Sequence, residues 1–255
     1  SLTLGGKELL RMPPSLDLLP GHRYGFPVLH PTPGRIKNSR FSFEGRLYSF
    51  PSAEGKPYIH GFACREPWHV EESSATGAVL ALQVEPGTHA YEIFPWRHCL
   101  RLTFTLSSSS LSFFFAVTNL DSKNLPFGFG FHPYFQIPGK REDVWIKVPA
   151  GQRHTFQGKA PTGRLAGVEG TAFDLREPRS LGGLALDEPY VGLTPGTAME
   201  AEFRPGGPRI RLRASEAFGQ AVVFAPRGQD FFCLENWTCA PDAHNLHARG
   251  FHRES

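Results

Sequence analysis

"CLRLTFTLSSSSLSFFFAV", Cys99 to Val117, decides the fold class. Leu100, Leu102, Phe104 and Leu106 alternate with Arg101, Thr103 and Thr105, the period of a strand with one face buried. Ser107 to Ser110 turn the chain, and Leu111, Phe113, Phe115 and Val117 resume the alternation. The stretch reads as a β-hairpin. The same signal recurs on both sides of it. "RFSFEGRLYSF" reads as a second hairpin with Glu44-Gly45 near its turn. "DVWIKV" puts Val144, Ile146 and Val148 on one face. "RIRLRAS" puts Ile210 and Leu212 inward and Arg209, Arg211 and Arg213 outward. No amphipathic pattern of helical period is sustained over 12 or more residues. Many short strands with almost no helix predict an all-β fold, a large antiparallel sandwich or barrel.

Composition agrees. The 255 residues include 22 Phe, 27 Gly and 23 Pro, a density of breakers that punctuates short strands and interrupts helices. "PGGP", Pro205 to Pro208, reads as a turn, and neither a low-complexity linker nor a fixed-period repeat divides the chain. One domain over residues 1–255 is expected. Lys+Arg 27 against Asp+Glu 24 leaves a net charge of +3, too small and too scattered to argue for nucleic acid. No window approaches 18 uncharged apolar residues, so no membrane span or membrane partner is expected. No secretory leader is visible, and the start at Ser1 rather than Met suggests processing or trimming. Cys64, Cys99, Cys233 and Cys239 form no CxxC and read as reduced thiols, which points to the cytoplasm. The sequence does not speak to oligomeric state.

Two stretches carry the chemistry. "FGFGFHPYFQIPG", Phe127 to Gly139, holds one imidazole, His132, ahead of Pro133, which biases it to an extended backbone. Such a histidine reads either as a packed structural group or as a general acid, for which an ordinary pKa of about 6.5 is suited. "FFCLENWTCAPDAHN" holds one carboxylate, Glu235, with the strand parity of Phe231, Cys233 and Trp237. A carboxylate on an apolar face has a raised pKa, as a general base near neutrality needs; the alternative is a rim carboxylate paired with an arginine. "YIHGFACREPWHV" groups His60, Arg65, Trp68 and His69, which suits sugar hydroxyls and a sugar ring face. Arg35 follows a Pro-Gly turn and Asp187 sits in an apolar run, where an Asx turn before Pro189 is the simpler account. Metal sites read poorly: His244 and His247 lack completing ligands, and Cys233 and Cys239 lack zinc-ligand spacing. There is no P-loop, no GxGxxG before a helix and no GxSxG elbow. Neither a metal nor any other cofactor is expected.

Taken in order, "P-x-P-G-R-I", "F-x-F-x-G-x-x-Y", "HGF", "HPYF", "LDEPYVGL" and "ENWTxxPDAxN" resemble the aldose 1-epimerase (mutarotase) superfamily over roughly residues 25–245. The resemblance implies a β-supersandwich with a sugar groove across one sheet. It implies His132 as the general acid at the ring oxygen and Glu235 as the base at the anomeric hydroxyl. It implies Arg35, His60 and Asp187 as sugar-binding residues, with Arg65 as a further candidate, and no cofactor. The implied partner is a small-molecule sugar. The expected activity is interconversion of the anomers of an aldohexose, with a hexose-6-phosphate 1-epimerase and a non-catalytic carbohydrate-binding module as alternatives. The chain departs from the family in places. Gly34-Arg35 stands where many members have Asn-Arg, and Cys64-Arg65 stands where the 6-phosphate branch often reads Arg directly after "HGFA". The N-terminus also reads as short, since family members carry strands before this point.

Overall fold

A computed structural model describes residues 1–18, 23–53, 55–194 and 196–251. Their regular structure is almost all antiparallel sheet, with only short helices such as His89–Ile93 and Ala243–Ala248. An eight-stranded sheet runs in the order Ala160–Gly167, Ala150–Gln157, Leu186–Leu193, Gln220–Ala225, Phe231–Trp237, Gly130–Phe131, Val28–Leu29, with Phe135–Gln136 also paired to Phe231–Trp237. Below it lies a four-stranded sheet in the order Arg179–Ser180, Val144–Lys147, Met199–Phe203, Arg209–Leu212. A second four-stranded sheet is built from His69–Ser74, Gly77–Val84, His98–Leu106 and Leu111–Asn119. Among the described residues no helix is long and apolar enough to cross a membrane.

The alternation seen in the sequence is what packs these layers. Leu106 pairs with Leu111 across the serine turn, as the hairpin reading requires. Arg40–Phe43 pairs with Arg46–Ser49, and Glu44 and Gly45 both take positive φ (48° and 76°), the primed turn that matches strand twist. Val144, Ile146 and Val148 are fully buried against Tyr190, Val223, Phe232 and Leu234 of the large sheet. The second core gathers Phe41, Phe50, Phe62, Phe94, Trp96 and Leu100, and it supports the loop that carries His60.

The strand Phe231–Trp237 positions the site. It lies inside the large sheet, with Gln220–Ala225 on one side and Gly130–Phe131 on the other. Phe232 and Leu234 enter the main core. Side chains alternate across a strand, so Cys233, Glu235 and Trp237 point to the opposite face. Directly paired residues share a face, so Val222 stands beside Glu235, and Phe224 stands between Cys233 and Asp187. Around Glu235 that face is mostly apolar, with Val222 and Phe224 as its neighbours on the next strand.

Candidate active site

A groove of about 1110 Å³ opens over this face of the large sheet. His132, Glu235, Arg35, His60, Asp187 and Arg65 line it, as does Trp68; His69, grouped with them in the sequence, does not.

His132 follows the short strand Gly130–Phe131, whose Gly130 pairs with Trp237. That register delivers the imidazole to Glu235. His132 Nε2 stands 3.4 Å from Glu235 Oε1, and both side chains are buried. The two groups are neighbours at the base of the groove. The Trp237 indole N–H donates to Glu235 Oε2 at 2.9 Å and fixes the plane of the carboxylate. The Tyr134 hydroxyl lies 3.4 Å from His132 Nε2, and its ring stacks on the imidazole at 4.5 Å. Glu235 Oε1 and His132 Nδ1 are buried without a hydrogen-bond partner among the described residues. One oxygen of the base is therefore oriented and the other is left for a ligand.

Burial sets the protonation of the pair. Desolvation pushes the Glu235 carboxyl well above the usual carboxylate range, against a smaller opposing effect of the Trp237 N–H. Desolvation drives the His132 imidazole down to about 3. Burial thus favours the uncharged form of both groups, a carboxylic acid beside an imidazole. Moving the one proton from Glu235 to His132 converts them into carboxylate and imidazolium without changing the proton count.

His60 and Gly61 form the second wall. His60 takes φ 66° and Gly61 φ 71°, a left-handed pair that turns the chain sharply. The His60 N–H donates to the Gly34 carbonyl at 2.9 Å, and the Gly34 N–H donates to His60 Nδ1 at 3.2 Å. An accepting Nδ1 puts the ring proton on Nε2. Burial holds this imidazole well below its ordinary pKa, so it is neutral and offers a donor. Its ring meets His132 edge-on at 5.1 Å.

Arg35 and Asp187 sit higher, half-exposed and exposed, with Nη1 and Oδ2 3.9 Å apart. An exposed pair at that distance contributes little to folding and leaves both heads able to turn to a ligand. Asp187 lies inside the strand Leu186–Leu193, and Pro189 is accommodated in that same strand. An Asx turn before Pro189 therefore does not account for this acid. Arg65 is exposed at the groove edge, and the Trp68 N–H donates to the Ala63 carbonyl at 2.8 Å, bracing this loop.

Sequence reasoning missed Arg23, Tyr134 and Phe224, and read Cys233 as a thiol without zinc-ligand spacing. Tyr134 could have been found, since it lies two residues from His132. Phe224 and Arg23 carry no local signal; Arg23 reaches the groove from a neighbouring loop, its guanidinium 5.5 Å above the Phe224 ring. Among the described residues, one set of donor atoms could hold a metal, and it is formed by His132, Cys233 and Glu235. Spacing along the chain could not show it, because His132 comes from another strand connection.

The fold is an antiparallel sandwich with a groove over a buried imidazole–carboxyl pair, and comparison with known proteins gives the family. The family model for aldose 1-epimerase matches residues 1–252, so the chain belongs to the aldose 1-epimerase family of isomerase-type mutarotases. Its fold is that of a galactose mutarotase-like protein from Clostridium acetobutylicum (TM-score 0.80, 21% identity, covering 93% of this chain and 77% of that one). Among curated proteins, YphB of Escherichia coli K12 is 26% identical over 89% of this chain and 80% of its own length. Galactose mutarotase of Mus musculus is 29% identical over 58% of this chain and 44% of its own.

Proposed function

We propose that this protein interconverts the α and β anomers of a free aldohexose, with His132 and Glu235 as the proton-transfer pair and no cofactor. The observation that carries the reading is the buried pair itself, 3.4 Å apart at the base of the groove. Ring opening removes the proton of the anomeric hydroxyl, breaks the bond between C1 and the ring oxygen, and places a proton on that oxygen. Both oxygens are attached to one carbon, so the base and the acid that serve them must be neighbours. Glu235 as carboxylate takes the first proton and His132 as imidazolium gives the second. The aldehyde rotates about C1–C2 and recloses with the roles reversed, and the pair ends with the proton count it began with. Arg35, His60 and Asp187 hold the hydroxyls so that the open chain stays in place. A pure binding module would have no use for a buried acid–base pair, which costs stability. The mouse galactose mutarotase likeness supports a free sugar.

The direct test is polarimetry of fresh α-D-glucose and α-D-galactose in weak buffer at low temperature. Acceleration of mutarotation is the expected result. Absence of acceleration with free sugars and presence with a hexose 6-phosphate would select the second reading. One observation favours that reading: Arg23, Arg65 and Lys159 line the groove together with Arg35. Arg97, a further basic residue near the "HCLRL" strand, does not line it.

Two predictions follow from the geometry. The pH dependence of kcat/KM reports the pair, which works only while it holds one proton. On the acid side a second proton leaves no base, and on the alkaline side loss of the shared proton leaves no acid. Because burial puts His132 at about 3, the acid limb is expected well below pH 6.5. An acid limb near the ordinary imidazole value would show that the histidine is not desolvated in the working enzyme. Separately, Arg35→Ala is expected to raise KM about 10- to 100-fold, the loss of a charge-assisted hydrogen bond of about 1.5–3 kcal/mol, with a much smaller change in kcat. Initial rates over a range of sugar concentrations separate the two.

A further inference from the structure

Cys233 has no part in the proton transfers, yet it stands beside them. It lies on the same face of its strand as Glu235, wholly buried against Tyr134 and Phe231. Its thiol, a ring nitrogen of His132 and a carboxylate oxygen of Glu235 all lie within 4.8 Å of one another. Zinc bonds of about 2.0–2.3 Å at tetrahedral angles put neighbouring donor atoms about 3.3–3.8 Å apart. The His132–Glu235 separation of 3.4 Å already has that value. Glu235 Oε1 is buried without a hydrogen-bond partner among the described residues, so an acceptor is free at the right place. Glu235 Oε2 is held by Trp237, which limits the carboxylate to one ligating oxygen and preorganises it.

We infer that His132, Cys233 and Glu235 form a binding site for a thiophilic divalent cation, Zn²⁺ above all, whose occupancy switches the enzyme off. Imidazole, thiolate and carboxylate are the donor set of zinc, and three protein ligands leave a fourth position toward the groove. Magnesium and calcium prefer all-oxygen shells and would not use a thiol. The ion enters from the groove, which His132 and Glu235 line, and the thiol completes the set from behind them. Binding displaces the Cys233 thiol proton and the proton shared by the pair, so metal binding strengthens as pH rises. No bond of the sugar is involved. The ion occupies the nitrogen and the oxygen that move protons, and so inhibits by removing both. This inference rests on the proposed roles of His132 and Glu235 for its effect on turnover, but the metal site stands on geometry alone.

The experiment therefore has two readouts. In metal-free buffer, Zn²⁺ is titrated against mutarotation by wild type, Cys233→Ser and Cys233→Ala, with Mg²⁺ as the control cation. Expected are full, chelator-reversible inhibition of wild type by Zn²⁺ and none by Mg²⁺. The half-inhibition concentration should rise at least about 10- to 100-fold in both variants, the range that even an outer-shell change produces, with basal turnover retained. Independently of any activity, Co²⁺ added to wild type should give thiolate-to-cobalt charge-transfer absorption that Cys233→Ser and Cys233→Ala lose. A mutarotase with unshifted zinc sensitivity in both variants, or cobalt absorption that persists without Cys233, overturns the site. Cobalt binding through Cys233 in a protein with no mutarotase activity on any sugar would keep the site and overturn the proposed function. If one variant does not fold, the other carries the comparison, and the wild-type cobalt spectrum decides alone: no thiolate band, no site.

Discussion

Glu235→Gln is expected to reduce turnover by about 10²- to 10⁴-fold, the contribution of one positioned proton transfer, while leaving KM within a few-fold of wild type. Glutamine has the same shape, and its amide oxygen can still accept the Trp237 N–H that now goes to Glu235 Oε2. What it lacks is the ability to take a proton from the anomeric hydroxyl. The same substitution should make the protein more stable, and the sign follows from burial. The Glu235 carboxyl is held well above its ordinary value in the folded chain, so between the unfolded and folded values the native state binds a proton that the unfolded state does not. Stability from that proton is fully present below the unfolded pKa of about 4.3 and is lost as pH rises through the folded value. Glutamine cannot ionise, so this loss disappears. At pH 8 the variant should gain about 1–3 kcal/mol, the usual cost of a buried unsatisfied polar group. In a chain of this size each kcal/mol moves Tm by about 2–4 °C. Thermal unfolding of both proteins at pH 5 and pH 8, beside polarimetry, checks the two halves. A variant that is inactive but no more stable at pH 8 would mean the carboxylate is solvated in the native state. A variant with unchanged turnover would remove Glu235 from the role of base.

The architecture was legible in the sequence to the extent that single strands speak for themselves. Period-2 alternation placed Phe232 and Leu234 opposite Cys233, Glu235 and Trp237, and the sheet buries them in that way. The Glu44-Gly45 turn was readable because few residue pairs accept two positive φ angles in succession. The meeting of His132 with Glu235 was not readable from local pattern. It depends on Gly130 pairing with Trp237, a contact between strands far apart in the chain, and no periodicity within either strand encodes its partner. Resemblance to a family supplied that link, motif by motif. Cys233 was set aside as a ligand for a different reason. Its parity with Glu235 was visible, but a thiol on a buried strand face is ordinary, and only the imidazole from the neighbouring strand connection makes it a ligand. The Asx turn offered as the simpler account of Asp187 does not form, because Pro189, two residues on, lies in the strand opposite Val222.

Gly61→Ala is expected to be the most damaging single-methyl change around the groove. A Cβ at this position would lie 1.9 Å from the His30 carbonyl oxygen and 2.2 Å from its carbon. Both are backbone atoms, so no side-chain rotation relieves the overlap. The same oxygen accepts from the Phe62 and Ala63 N–H groups at 2.9 and 3.3 Å, so it cannot withdraw without breaking the bonds that shape the loop. Gly61 also holds φ 71°, where a non-glycine residue costs about 1–2 kcal/mol before any clash. The neighbouring His60 already carries φ 66°, and two strained residues in sequence leave the turn little reserve. The loop must therefore move, and it takes His60 with it, breaking the reciprocal bonds to Gly34 that precede Arg35. A loss of more than about 3 kcal/mol in folding stability is expected. Activity in the fraction that folds should fall about 10²-fold, the effect of displacing a positioning group by about 1 Å. Gly45→Ala separates the two causes. It has φ 76° but nothing within 4 Å of its Cβ, and it lies in a hairpin outside the groove. It should lose about 1 kcal/mol and keep full turnover. Urea unfolding and polarimetry on both variants distinguish them. If Gly61→Ala behaves like Gly45→Ala, backbone strain alone is at work, and the close approach to His30 is not what holds His60 in the site.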